Sequence, residues 1–135
     1  MWSKLRALTL VVLCACSSDS LGPKTNLVLA TPPDFSARVY FVEFESGNGP
    51  GFGAWSQHNV WVIIPPASAA NAGVIVSTRS PVFLRTRDGI FVSDGNQIRP
   101  GDTVDVWRQM PVAYGALQGP PGAPTYTSTQ FVIDR

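Results

Sequence analysis

Arg99-Pro100-Gly101-Asp102-Thr103-Val104-Asp105-Val106-Trp107-Arg108 carries a chain reversal and the strand that follows it. Arg-Pro-Gly-Asp fits a type II turn: proline presets φ at the second position, and glycine supplies the positive φ at the third. Thr103 to Arg108 then alternates, with Val104 and Val106 on one face and Asp105 and Trp107 on the other. Turn chemistry followed by alternation recurs along the chain. Ser128 to Asp134 places Thr129, Phe131 and Ile133 on one face. Asp88-Gly89, between Arg87 and Ile90, is a two-residue hairpin signal. Gly73 to Thr78 and Val82 to Arg87 read as one strand broken at Ser80-Pro81, or as two, because proline removes a ladder donor.

Further upstream, Asn59 to Ile64 is an apolar strand ended by Pro65-Pro66. Phe35 to Glu45 (FSARVYFVEFE) is β-branched and aromatic on both faces, as expected of a long strand that curls around a core. Two stretches read as long irregular loops, residues 46–58 and 109–127. Ala67 to Ala72 reads as a single helical turn stopped by Gly73, or as a plain loop. Ile90 to Ile98 reads as strand and loop.

Composition agrees. All 12 glycines and all 12 prolines follow Cys16, which excludes a helical bundle or coiled coil. The only cysteines are Cys14 and Cys16, so the rest of the chain forms no internal disulfide and no thiolate metal site. The expectation is an all-β domain over 35–135.

The N-terminus reads as an address. Lys4 and Arg6 precede Leu8-Thr9-Leu10-Val11-Val12-Leu13, an apolar run too short to span a bilayer but suited to a secretory signal. Leu13-Cys14-Ala15-Cys16 resembles the lipobox of bacterial lipoproteins: an aliphatic residue, a small residue, then the cysteine. The resemblance implies cleavage of 1–15, lipidation of Cys16 and a membrane anchor. An ordinary signal peptide with two incidental cysteines is the alternative. Ser17 to Pro23 is small and polar, and the stretch 16–34 reads as the lipidated residue and a flexible tether. Ser17 directly after the lipid favours the outer membrane over the inner, if the source has one. Cleavage removes Lys4 and Arg6 and leaves eight basic residues against nine acidic, a net charge of −1. That charge and export both oppose nucleic-acid binding.

The strand order and the run Pro100-Gly101-Asp102-Thr103-Val104-Asp105-Val106-Trp107 resemble small OB-like β-barrels of exported bacterial proteins, with Val74–Thr78, Val82–Arg85, Asp88-Gly89 and Phe131-Val132-Ile133 adding to the likeness. The resemblance implies a five- to seven-stranded barrel; a Greek-key β-sandwich is the alternative. The chain departs from the usual barrel between the third and fourth strands, where a helix is common. The likeness also implies a binding surface on the second and third strands and the loops after strands one and four. Those loops hold Phe52, Trp55, Tyr114 and Tyr126, the candidate ligand-binding residues, and Trp55 and Tyr126 are expected to be exposed near each other.

No catalytic, metal or cofactor set is assigned. His58 is the only histidine, and no nucleophile elbow accompanies it. A zinc site would need His58 with Glu43 and Glu45, at no supporting spacing. Glu43 and Glu45 are a candidate acid/base pair or a solvated strand end. Arg79, Arg85, Arg87, Arg99 and Arg108 form a basic cluster diluted by Asp88, Asp94, Asp102 and Asp105: a patch for anionic headgroups or cell-wall carboxylates, or strand-edge charges. Two readings of function remain. One is a lipid-anchored envelope module that binds or supports an envelope protein, glycan or anionic ligand. The other is a small envelope hydrolase.

Overall fold

The structure is a computed structural model, and it describes residues 21–26, 29, 31–51, 53–109 and 123–135. The lipobox with Cys16, and the candidate residues Phe52 and Tyr114, lie outside the described residues. Eight strands form one sheet among those described: β1 (Lys24–Thr25), β2 (Phe35–Gly49), β3 (Gly53–Ile63), β4 (Ala72–Ser77), β5 (Val82–Thr86), β6 (Gly89–Ser93), β7 (Thr103–Arg108) and β8 (Thr125–Asp134). The one helical element among the described residues is a 3-10 turn, Gly95–Gln97. The chain is all-β.

Five of these strands close a ring. The order β8-β4-β3-β2-β7 returns to β8 through a β7–β8 ladder. β2, β3 and β4 are joined by hairpins, and β7 comes back beside β2, which is a Greek-key path. Only β4 and β5 run parallel to their partner, β8. β5, β6 and β1 extend the sheet outside the ring.

The interior is mostly β-branched. Val39, Val60, Val62, Val74, Val76, Val104, Val106, Phe131 and Ile133 are all within 2 % of full burial and pack in one cluster. Each strand contributes alternate residues, as the pleat requires. β2 keeps its inward set only through a bulge. Val39 opposes Val62 and Phe41 opposes Trp61, so Tyr40 is the extra residue and is 63 % exposed. That bulge explains why both faces of Phe35–Glu45 read as apolar.

The turn before β7 forms as its sequence implies. Gly101 has φ +92°, and Asp102 N–H bonds the Arg99 carbonyl at 3.1 Å. On the outer side of β7, Asp105 and Trp107 are also buried. Asp105 accepts from Ser36 Oγ and from Arg85 Nη2, and Trp107 Nε1 donates to the Thr31 carbonyl at 3.0 Å. Packed chain therefore reaches back before Phe35, into the stretch read as tether; β1 pairs with β6 there.

Four local expectations are corrected. Residues 46–58 are not a loop: β2 and β3 continue to pair as far as Gly49 and Gly53. Tyr126 belongs to β8, which starts at Thr125, so the irregular stretch is shorter than 109–127. Ala67 to Ala72 makes no helical turn. Asn71 closes that stretch instead, its Oδ1 taking the Ile64 N–H at 2.8 Å and its N–H reaching the Val62 carbonyl; the Pro65-Pro66 bond is cis. The β5–β6 turn is Arg87-Asp88, one residue earlier than read, with Gly89 (φ +135°) opposite Thr86.

Candidate functional site: the outer face of the β2–β3 hairpin

The β2–β3 hairpin is longer than its neighbours. β4 ends with Ser77 opposite Gln57, so the hairpin beyond Ser46 and Ser56 stands clear of the ring. Strand alternation puts Phe41, Glu43, Glu45 and Gly47 of β2 on the outer face, opposite Trp61, Asn59, Gln57 and Trp55 of β3. The exposed rings Phe41 and Trp55 thus stand at the two ends of a polar row, while Trp61 is buried at 7 % exposure.

The polar row is cross-linked. Asn59 Nδ2 donates to Glu45 Oε2 at 3.1 Å, Gln57 Nε2 to the same oxygen at 3.3 Å, and Gln57 Nε2 to Asn59 Oδ1 at 2.9 Å. Asn59 is buried at 3 % exposure and anchors the network. Glu45 Oε1 and Gln57 Oε1 take no hydrogen bond from the described residues, so two acceptors are open to a ligand. Glycine sets the outer ring. A Cβ on Gly47 would meet the Trp55 indole at 2.8–3.0 Å, so the ring lies directly against that backbone. Trp55 remains 41 % exposed, and with Gln57, Ser77, Thr78 and Arg79 it lines a recess of about 350 Å³.

His58 faces the other side. Its Nε2 is 3.2 Å from Asn96 Oδ1, its ring is 5.1 Å from Phe44, and a Cβ on Gly95 would collide with its Nδ1. The recess there, about 410 Å³, is lined by Phe44, Ser56, His58, Ser80 and Asp94. Asp94 takes the Asn96 N–H at 2.8 Å and does not reach the imidazole. His58 is held as a polar packing residue where β3 meets the 3-10 turn.

No family model, curated protein or solved structure matches this chain.

The structure does not bring Trp55 and Tyr126 together. Tyr126 pairs with Val74, which pairs with Val60, and Trp55 lies five residues further along β3, about 16 Å away at ~3.3 Å per residue. The two also point to opposite faces. Tyr126 packs toward the core, its ring 5.7 Å from Phe35 and 4.6 Å from the Arg108 guanidinium carbon. Glu43 and Glu45 separate likewise: Glu43 is exposed, whereas Glu45 is drawn into the amide network.

The arginines form no common patch. Arg85 is held by Asp134 and Asp105, Arg87 lies 3.7 Å from Asp88 in its turn, and Arg108 covers Tyr126. Arg79 stands apart from them in the β4–β5 turn. Sequence reasoning missed Gln57 and Asn59. The available signal was the repeat of polar residues two apart on each arm, Glu43/Glu45 and Gln57/Asn59, mirrored about Gly51. It becomes readable only once the turn is centred there.

Proposed function

We propose that this chain is a lipid-anchored cell-envelope binding module, and that its ligand is a glycan held on the outer face of the β2–β3 hairpin. The observation that carries the reading is the outer row itself: the half-exposed Phe41 at one end, Trp55 at the other, and the Glu45–Gln57–Asn59 network between them. Sugars offer apolar C–H faces that stack on aromatic rings and hydroxyl edges that bond amides and carboxylates. From Trp55 to the level of Phe41, which stands opposite Trp61, is six residues of strand, about 20 Å, which suits a short oligosaccharide rather than one sugar. A preformed sheet surface with its side chains already hydrogen-bonded loses little entropy when the ligand arrives.

An OB-like barrel is the finer reading of the ring. Its support is the five-stranded closure with a Greek-key path, and the site then falls on the first and second ring strands, whose connecting loop is one of those with which such barrels take oligosaccharides. β5 and β6 occupy the connection where a helix is common. Lipidation at Cys16 would hold the module at the membrane, in the outer membrane if the source has one. This part rests on the Leu13-Cys14-Ala15-Cys16 run.

The test is titration of the full chain with defined oligosaccharides, read by tryptophan fluorescence. Trp55→Ala should abolish binding and leave the melting temperature within about 2 °C, because the ring lies outside the core. Binding that survives Trp55→Ala and Gln57→Ala would remove this face from the reading.

A further inference from the structure

The N-terminal end of the described chain is fastened to β6 rather than left hanging from the sheet. Lys24 and Thr25 pair with Phe91 and Ile90, and the Val92 N–H donates to the Pro23 carbonyl at 2.9 Å. Two glycines admit this contact. A Cβ on Gly22 would collide with the Val92 carbonyl oxygen, and a Cβ on Gly89 would lie 2.6 Å from Lys24 Cε. The fixed chain therefore begins at Gly22, next to Leu21. Cys16 is five residues before Leu21, a reach of at most ~18 Å at full extension. A lipid on Cys16 would keep the β1–β6 edge within that distance of the bilayer.

That edge carries exposed apolar side chains. Leu21 is 51 % exposed and Val92 42 %, and both line one recess of about 280 Å³ with Leu84 and Phe91. A single exposed apolar residue is ordinary; two that border the same recess, on the edge the anchor would hold closest to lipid, form a contact surface. Charge there balances. Lys24 is exposed, Asp94 borders the recess, and Arg87 lies 3.7 Å from Asp88 in the adjoining turn. A neutral, partly apolar surface suits the boundary between headgroups and acyl chains and has no need of acidic lipid. The β3–β4 loop lies far from this edge. Gly73, just after it, pairs with Thr125, whereas Phe83, the partner of Val92, pairs with Val132. Those levels lie seven residues of β8 apart, about 23 Å.

We infer that the β1–β6 edge is the membrane-facing side of this protein: Leu21 and Val92 rest in the bilayer surface, and the pairing of β1 with β6 fixes the orientation of the domain on its anchor. The occupant of the edge is the lipid surface that holds Cys16. The inference rests on the anchor reading and deepens it, from attachment alone to a docked face. The domain then turns only on the residues before Gly22, not on the whole stretch 16–34.

The test uses the full chain, made in a bacterial host and reconstituted in vesicles. Lipidation and cleavage would leave an introduced cysteine as the only free thiol, so Val92→Cys and Ser68→Cys each carry one environment-sensitive dye. Ser68 is exposed in the β3–β4 loop. Nitroxide-bearing lipids should quench the Val92 dye at least about threefold more than the Ser68 dye, because apolar faces at such surfaces sit ~5–10 Å into the headgroup boundary. The difference should be equal in phosphatidylcholine and phosphatidylglycerol vesicles. Adding Gly22→Leu, which drives β1 off β6, should bring the Val92 signal down to the Ser68 level, with the lipid still on Cys16 by mass spectrometry. Equal quenching at Val92 and Ser68 in lipidated protein overturns the docked face and leaves the anchor standing. Quenching confined to phosphatidylglycerol, or unaltered by Gly22→Leu, overturns that face equally. Cys16 found without lipid overturns the anchor reading and this inference together.

Discussion

Replacing Arg85 with methionine should cost the fold about 2–3 kcal/mol, although the residue sits on a strand outside the closed ring. Arg85 lies opposite Asp134 in the β5–β8 ladder. Its Nε bonds Asp134 Oδ1 at 2.5 Å, and its Nη2 bonds Asp134 Oδ2 at 2.7 Å and Asp105 Oδ2 at 2.6 Å. The side chains of Arg85 and Asp134 are 35 % and 31 % exposed, so solvent screens that half, and it is worth about 1 kcal/mol. Asp105 is 12 % exposed, and removing its cation leaves a nearly buried carboxylate with only Ser36 Oγ beside it, for about another 1–2 kcal/mol. Methionine keeps the apolar stem, so the loss is electrostatic. The bonds to Asp134, against some desolvation, and those to Asp105 hold the Arg85 pKa above the ordinary guanidinium value. A raised folded pKa leaves its contribution intact at all lower pH, so its own ionisation adds no pH dependence near neutrality. Thermal melts of the full chain should fall by about 8–12 °C, at ~4 °C per kcal/mol. Arg87→Met is the control: its pair with Asp88 spans 3.7 Å at 93 % and 74 % exposure, and melting should stay within about 2 °C. The Arg85 effect should also persist in 1 M salt. An Arg85→Met melt within about 2 °C of the parent, or a loss that vanishes in salt, would refute this account of how β5 and β6 are fastened.

Gly101→Val should cost about 1–3 kcal/mol, because φ +92° strains a β-branched residue; denaturant midpoints measure it, and a midpoint equal to the parent's would count against the turn. Gly47→Ala should shift Trp55 emission and weaken oligosaccharide binding with little change in melting, since the new Cβ displaces the indole. Phe131→Ala, fully buried at the ring centre, should cost about 3–5 kcal/mol and leave the full chain largely unfolded on warming, seen by circular dichroism. Cys16→Ser should block lipid attachment and Cys14→Ser should not; mass spectrometry of the membrane fraction decides, and unmodified Cys16 there would sink the anchor.

The sequence alone determined the class of structure. Strand alternation, proline at strand ends and glycine where φ must be positive are local constraints, each written in a few adjacent residues. The Arg99–Asp102 turn, the break at Ser80-Pro81, the inward Phe131 and Ile133, and a chain without α-helix among its described residues were all legible for that reason. Register was not. Ser46 to Gly53 has the composition of a loop, yet pairing with the opposite arm sustains both strands through it, and that pairing depends on contacts no local window contains. Tyr126 looked like a loop aromatic because nothing near it in sequence announces Val74 or Phe35 as neighbours. Asp105 looked like a surface position, and only Ser36 and Arg85, 69 and 20 residues away, make it buried. The candidate site follows the same division. Its exposed Trp55 was visible as a residue type, but the Glu45–Gln57–Asn59 network exists only once strands distant in sequence are laid side by side, because hydrogen bonds across a sheet are set by register rather than by sequence proximity.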